Sequence, residues 1–264
     1  MDPVAFHIGA LEIRWYGIMA ALGFMGASLL LHRNREKADM TGDEVYDLTF
    51  YMMLAGIIGA RIYYVALSWD KEFAGNIMEI FKVWHGGLVY YGGFIGGLAM
   101  LILYCVWKRK SFLRVMDATA PSLALGHILG RIGCFINGCC YGKACDAWFG
   151  FSYPDNYNVY GNPNLVPTSV KLYPVQLFES TMNLVILAVL LFFLNRMKKP
   201  GQVAGLYMIM YGVTRFLLEF LRGDNPANIL GMLTQAQVIG CVVIPVGIFL
   251  LLYRANSKTQ NRSR

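Results

Sequence analysis

The chain has 264 residues, 56% hydrophobic and only 15% charged, where an ordinary soluble domain carries about 25% charged residues. That balance excludes a soluble globular protein and points to one built within a bilayer. A net charge of +7 would suit nucleic acid or anionic lipid, and its distribution along the chain argues against nucleic acid.

A helix needs roughly 20 mostly apolar residues to span the hydrocarbon core. Seven stretches qualify, at about 16–32, 46–68, 87–107, 117–136, 176–195, 203–221 and 234–253. No length is left for a soluble domain of ordinary size. The expectation is an all-α integral membrane protein, a single polytopic domain over residues 1–264. The N-terminal arm lacks the basic start of a secretory signal, so it is expected to be retained. The segments "HRNREK", "WKRKSFLR", "NRMKK" and the tail "RANSKTQNRSR" hold fourteen of the 23 Lys and Arg. The segments that alternate with them hold six, and three lie inside spans. The positive-inside rule then places the N-terminus outside and the C-terminus in the cytoplasm. Trp15, Trp69, Trp84 and Trp148 fall at outer ends and Trp107 at an inner end, as an aromatic belt would.

Arg61, in "GIIGARIYY", is the first arginine inside a span. "HGGLVYYGGFIGG" (His85 to Gly97) follows. Small residues four apart let helix backbones approach, which accounts for Gly96 and Gly97. Gly86, Gly87, Gly92 and Gly93 also suit a bent entry that exposes backbone to a cavity. "GRIGCFINGCCYG" (Gly130 to Gly142) ends the fourth span with Arg131, Asn137 and three cysteines. Cys134, Cys139, Cys140 and Cys145 read C-x4-C-C-x4-C, which matches none of the common zinc spacings. Residues of about 138–175 are polar and turn-rich and suit a small external cap. "YPVQLFES" places Gln176 and Glu179 one turn apart. In "YGVTRFLLEFLRGD", Tyr211, Arg215, Glu219 and Arg222 are spaced to share one helix face.

An arginine at mid-span costs about 2.5–3.5 kcal/mol on insertion scales, so each needs a polar partner. An ion-paired packing stripe is one reading of Arg215 and Glu219. The other is a positive site for an anion. Arginine's planar fork matches phosphate, and a phospholipid head group is the nearest phosphate at this depth.

Taken together, "RWYGIM", "WHGGLVYYGGFIGG", "GRIGCFINGCCYG", "YPVQLFES" and "YGVTRFLLEFLRGD" resemble, in order, the blocks of the bacterial phosphatidylglycerol–prolipoprotein diacylglyceryl transferases. The resemblance covers nearly the whole chain. It implies transfer of diacylglyceryl from phosphatidylglycerol to the lipobox cysteine of a preprolipoprotein signal peptide, in the bacterial cytoplasmic (inner) membrane. A thioether forms and glycerol phosphate leaves; no metal or organic cofactor is implied. Arg131 and Arg215 are expected to hold the phosphate, and Tyr91 to take the thiol proton. Tyr16, Arg61, Asn137, Gly142, Glu179, Tyr211, Glu219 and Arg222 are expected to line the substrate site. The chain departs from the family pattern where Cys134 replaces an Asn, Cys139 a Glu, and Tyr91 and Tyr173 histidines found in other members. An inactive lipid-binding member and an anion or lipid transporter are the alternative readings. The enzyme's own sulfurs are expected to be bystanders, with a disulfide such as Cys140 with Cys145 pinning the cap in an oxidising exterior.

Overall fold

The computed structural model describes residues 3–9, 11–82, 86–155, 157, 166–224 and 233–252. Trp84, His85, the centre of the cap and the basic tail lie outside the described residues. Each expected span coincides with a helix long and apolar enough to cross a membrane. They are α1 (Trp15–Arg33), α2 (Gly42–Ser68), α3 (Tyr90–Trp107), α4 (Phe112–Asn137), α5 (Val175–Leu194), α6 (Gln202–Leu218) and α7 (Gln235–Leu252). A 3-10 turn, Glu219–Leu221, prolongs α6. Before α1 lies an antiparallel hairpin, β1 (Val4–Ile8) with β2 (Leu11–Arg14), which hydropathy did not signal.

Where the helix limits differ from the apolar windows, local chemistry explains it. The second span reads from about 46, yet α2 starts at Gly42. Thr41 accepts from the Glu44 backbone, and the Glu44 carboxylate accepts from the Thr41 amide, a capping box that fixes the start among polar residues. The third span reads from about 87, yet α3 starts at Tyr90, because Gly86 and Gly87 take left-handed φ of 90° and 75°. α6 starts where Asp117 accepts from the Gly201 and Ala204 amides at 2.7 and 2.8 Å, so a buried carboxylate satisfies the orphan donors of that helix end.

The described residues divide into two compact units, His32–Val115 and Met1–Leu31 with Met116–Arg264. In the first, α2 and α3 pack through small residues. A Cβ on Gly59 or Gly92 would strike the other residue's carbonyl, and one on Gly96 the carbonyl of Ala55. Gly93 shares this seam and Gly97 does not. The polar end of this unit is tied by Lys110 to Glu44 at 2.8 Å and by Arg114 to Asp39.

In the second unit α1 meets α4 at Gly23 and Gly126, and α6 meets α7 at Gly205 and Gly247. Its apolar core joins Ala120 and Ala124 of α4 to Ile186, Leu190 and Leu194 of α5 and to Val203 and Tyr207 of α6. Part of the cap packs separately, as Tyr153, Tyr157, Val166 and Leu172 with Tyr141 and Phe151 against them.

Candidate active site

The end of α4 sets the site. Asn137 is its last residue, and Gly138 follows with φ of 73°. The Gly138 amide donates to Phe135 O and the Cys139 amide to Cys134 O, both at 3.2 Å. This is the paired pattern of a Schellman stop, which needs a residue at ease in the left-handed region. A side chain at Gly138 would also strike Tyr157 and Val166. Two cap tyrosines serve the last turn, Tyr153 donating to Phe135 O at 2.9 Å and Tyr157 to Ile136 O.

About two turns before that stop, Arg131 meets Glu179 of α5 through Nε at 3.0 Å. The carboxylate is 2% exposed and the arginine 18%, so a ligand can reach the cation and not the anion. Tyr211 of α6 donates to the same Glu179 oxygen at 3.3 Å. His127, a turn before Arg131, shares a hydrogen bond of 3.1 Å with Tyr207 and lies 4.7 Å from the Tyr211 ring. Arg131, Arg215 and Glu179 all fall within electrostatic range of His127.

The stripe on α6 forms, with one change. Arg215 pairs with Glu219 at 2.6 Å. Arg222 stands 4.0 Å from Glu219, because the helix gives way to the 3-10 turn before reaching it. Its stronger partner is Asp224, gripped through Nε and Nη2 at 2.9 Å each. Burial opposes the Arg222 charge, yet Asp224 holds its pKa above the ordinary arginine value. Gly142 bridges Arg222, and a side chain there would collide with Tyr173 and Val175. Gln176 is buried and donates to Cys139 O at 2.8 Å. Asn137 is 2% exposed, and its Oδ1 has no hydrogen-bond partner among the described residues. A buried orphan acceptor costs about 1–3 kcal/mol, which marks Asn137 as a position waiting for a donor. Tyr16 of α1 lies half-open against Gly133.

The remaining two residues belong to the unit His32–Val115. Arg61 donates to five carbonyls, those of Glu79, Ile80, Lys82, Gly86 and Gly87, and lies over the Tyr64 and Phe73 rings. Tyr91 is half-buried at the start of α3, edge-on to Tyr90.

All six cysteines are free, so the suggested Cys140–Cys145 bridge does not form. The Schellman stop turns Cys139 and Cys140 back toward Cys134, and the three sulfurs lie within 4.8 Å of one another. Cys145 instead continues along the cap, its amide donating to Lys171 O. The Cys140 thiol is drawn below its ordinary pKa, first by hydrogen bonds from Cys134 and Cys139 and then by the charges of Arg222 and Arg131.

Sequence reasoning missed three partners. Asp224 stood in the quoted "RGD" one residue beyond the stripe. The capping role of Asp117 gave no signal in the sequence because the helix end it caps lies 84 residues on. The sulfur cluster was hidden because spacing rules count residues and not the reversal at Gly138.

The sequence matches the family model for prolipoprotein diacylglyceryl transferase over residues 3–253. It is similar to three proteins named phosphatidylglycerol–prolipoprotein diacylglyceryl transferase. One, from Clostridium tetani (strain Massachusetts / E88), is 36% identical over 95% of this chain and 96% of the relative. Another, from Pseudomonas entomophila (strain L48), is 34% identical over 98% and 95%. The third, from Acinetobacter baumannii (strain SDF), is 31% identical over 98% and 94%.

Proposed function

The chain belongs to the prolipoprotein diacylglyceryl transferase family, and from that premise we propose how its residues divide the work of the transfer. The protein is a multi-pass membrane transferase, and its substrates are phosphatidylglycerol and a prolipoprotein. The thiol of the lipobox cysteine in the signal peptide attacks the glycerol carbon that carries the phosphate. The C–S bond forms as the C–O bond breaks, and the electron pair leaves on glycerol phosphate. The thiol's proton goes to a base.

The observation that carries the assignment is the pairing of Arg131 with a buried Glu179. Nε faces the carboxylate, which aims the guanidinium and leaves its fork of two Nη groups as the phosphate-binding edge. Arg215, held by Glu219 through Nη1 rather than Nε, supplies the second cation. Both stabilise charge that grows on the departing phosphate, and such preorganised donors work best where water is scarce. Tyr211 holds Glu179 in place. The orphan Asn137 oxygen accepts from a head-group hydroxyl, and Tyr16 borders the entry. Arg222 and Asp224 fix the Gly142 turn. Tyr91 is the proposed proton acceptor. Arg61 organises its own loop, because all five of its donors meet carbonyls.

The test is direct. Purified protein, phosphatidylglycerol and a lipobox peptide should yield a peptide heavier by one diacylglyceryl group, joined through sulfur. A folded protein that leaves the peptide unmodified removes the assignment. The charge asymmetry supports an N-terminus outside, and the family reading supports the bacterial cytoplasmic membrane. A cysteine introduced at Lys198 should resist an impermeant thiol reagent in intact cells; ready labelling there reverses the topology.

A further inference from the structure

We propose that Cys134, Cys139 and Cys140 form an open three-sulfur site for a zinc ion, whose fourth position takes the thiolate of the lipobox cysteine. The binding half of this inference stands without the proposed function; the substrate half rests on it.

The geometry is close to what zinc requires. Tetrahedral zinc with Zn–S bonds near 2.3 Å sets its sulfurs about 3.8 Å apart. Here all three lie within 4.8 Å of one another and are partly buried, so each moves by about 1 Å or less to close on an ion. The backbone already holds them. Cys134 sits in the last turn of α4, the Schellman stop reverses the chain, and Cys140 is kept at a left-handed φ of 63°. A non-glycine residue there is strained by about 1–2 kcal/mol, and strain of this kind collects at functional positions. Gln176 fixes Cys139 through its carbonyl. The Cys139 thiol itself points back at the α4 end, donating to Cys134 O at 3.7 Å.

The charges also fit. Three thiolates and one zinc ion leave a net charge of −1, and a substrate thiolate brings it to −2. Arg131 lies on α4 three residues before Cys134, and Arg222 bridges Gly142, two residues past Cys140, so two cations are anchored beside the cluster. Zinc sites with three protein ligands leave the fourth position to water or substrate, and a thiol that coordinates is deprotonated outright. The transfer is an alkylation of a thiol, so its chief demand is a thiolate near neutral pH. Binding is a simple exchange: each of the three protein Zn–S bonds forms as one cysteine thiol loses its proton to solvent, and the substrate thiol gives its proton to the base named above as it takes the fourth position. No redox step is involved. Two of the three, Cys134 and Cys139, stand where the family pattern has an amide and a carboxylate, so the sulfur set arises from this chain's departures from that pattern.

The test uses the whole protein, purified in detergent without chelator, then stripped and reloaded. Expected are about one zinc per chain, its loss in a Cys134→Ser, Cys139→Ser, Cys140→Ser variant, and its retention in Cys145→Ser. Cobalt(II) loaded instead should give sulfur-to-cobalt charge-transfer absorption, and that absorption should change when a lipobox peptide is added and not when its Cys→Ser counterpart is. Less than about 0.2 zinc per chain after reloading the parent protein overturns the site. So does zinc retained by the triple variant, or two of the three sulfurs recovered as a disulfide. A cobalt spectrum that ignores the cysteine peptide overturns the substrate role. Loss of zinc binding with transfer intact sinks this inference alone; absence of transfer in the zinc-loaded protein sinks the transferase assignment instead.

Discussion

Arg61 and Arg131 look alike in sequence: each is an arginine inside an apolar span. The structure gives them opposite partners. Arg61 meets five neutral carbonyls and two aromatic rings. All five of its N–H groups are taken up, yet among the described residues no acid pairs with it. Arg131 meets one buried carboxylate through one edge. Carbonyls fix a cation by number and leave no donor for a ligand. A carboxylate fixes it with one contact and leaves a face to work with. Depth in the membrane therefore says that an arginine needs partners, and the kind of partner says what it does.

The largest expected effect tests Arg131. Removing it alone strands Glu179, and an unpaired buried charge costs about 3–5 kcal/mol. The informative variant is therefore Arg131→Ala with Glu179→Gln. It should melt near the parent temperature and lose transfer by about 10³-fold, the scale of one lost transition-state donor. Near-parent turnover would put Arg131 in the same class as Arg61. Arg215→Lys should stay impaired by about tenfold or more, since lysine keeps the charge and lacks the fork.

Arg61→Ala should show the reverse pattern. Each buried carbonyl left without a donor costs about 1–3 kcal/mol, so the melting temperature should drop sharply while transfer per folded molecule changes less than threefold. Arg61→Lys should rescue little, because one ammonium has three donors where five are used. A stable Arg61→Ala protein with weakened lipid affinity would erase the contrast and return Arg61 to the substrate site. A smaller effect concerns the residue assigned to the proton. Tyr91→Phe should slow transfer severalfold more than Tyr90→Phe, read from rates at saturating peptide. Equal rates would make Tyr91 a packing residue.

Much of this was legible in sequence for plain reasons. Hydropathy found the seven spans because the bilayer sets one length for all of them. The Arg215 and Glu219 pairing was legible because one helix turn brings them together, and the Gln176 and Glu179 pair because both open α5. What stayed hidden depended on partners far along the chain or on a break in periodicity. Asp117 caps a helix 84 residues away. Arg222 leaves the α6 face because the helix tightens into a 3-10 turn first. Cys134, Cys139 and Cys140 have no regular spacing, and only a left-handed glycine between them brings the sulfurs together.

The two tyrosines that serve the last turn of α4 also bear on the order in which the protein assembles. Tyr153 and Tyr157 reach carbonyls only 18 and 21 residues earlier. Closing a loop of that length costs little more than closing one half as long, and such local contacts form early. During synthesis, these hydroxyls emerge before α5 exists. The end of α4 can thus be sealed while Glu179 is still unmade, and Arg131 must then wait for its carboxylate until α5 arrives. Slowed emergence of α5, for instance by a longer segment ahead of Tyr173, should leave a species with the cap docked and the arginine exposed. That species would resist protease within the cap and yet be trapped by arginine-modifying reagents at Arg131.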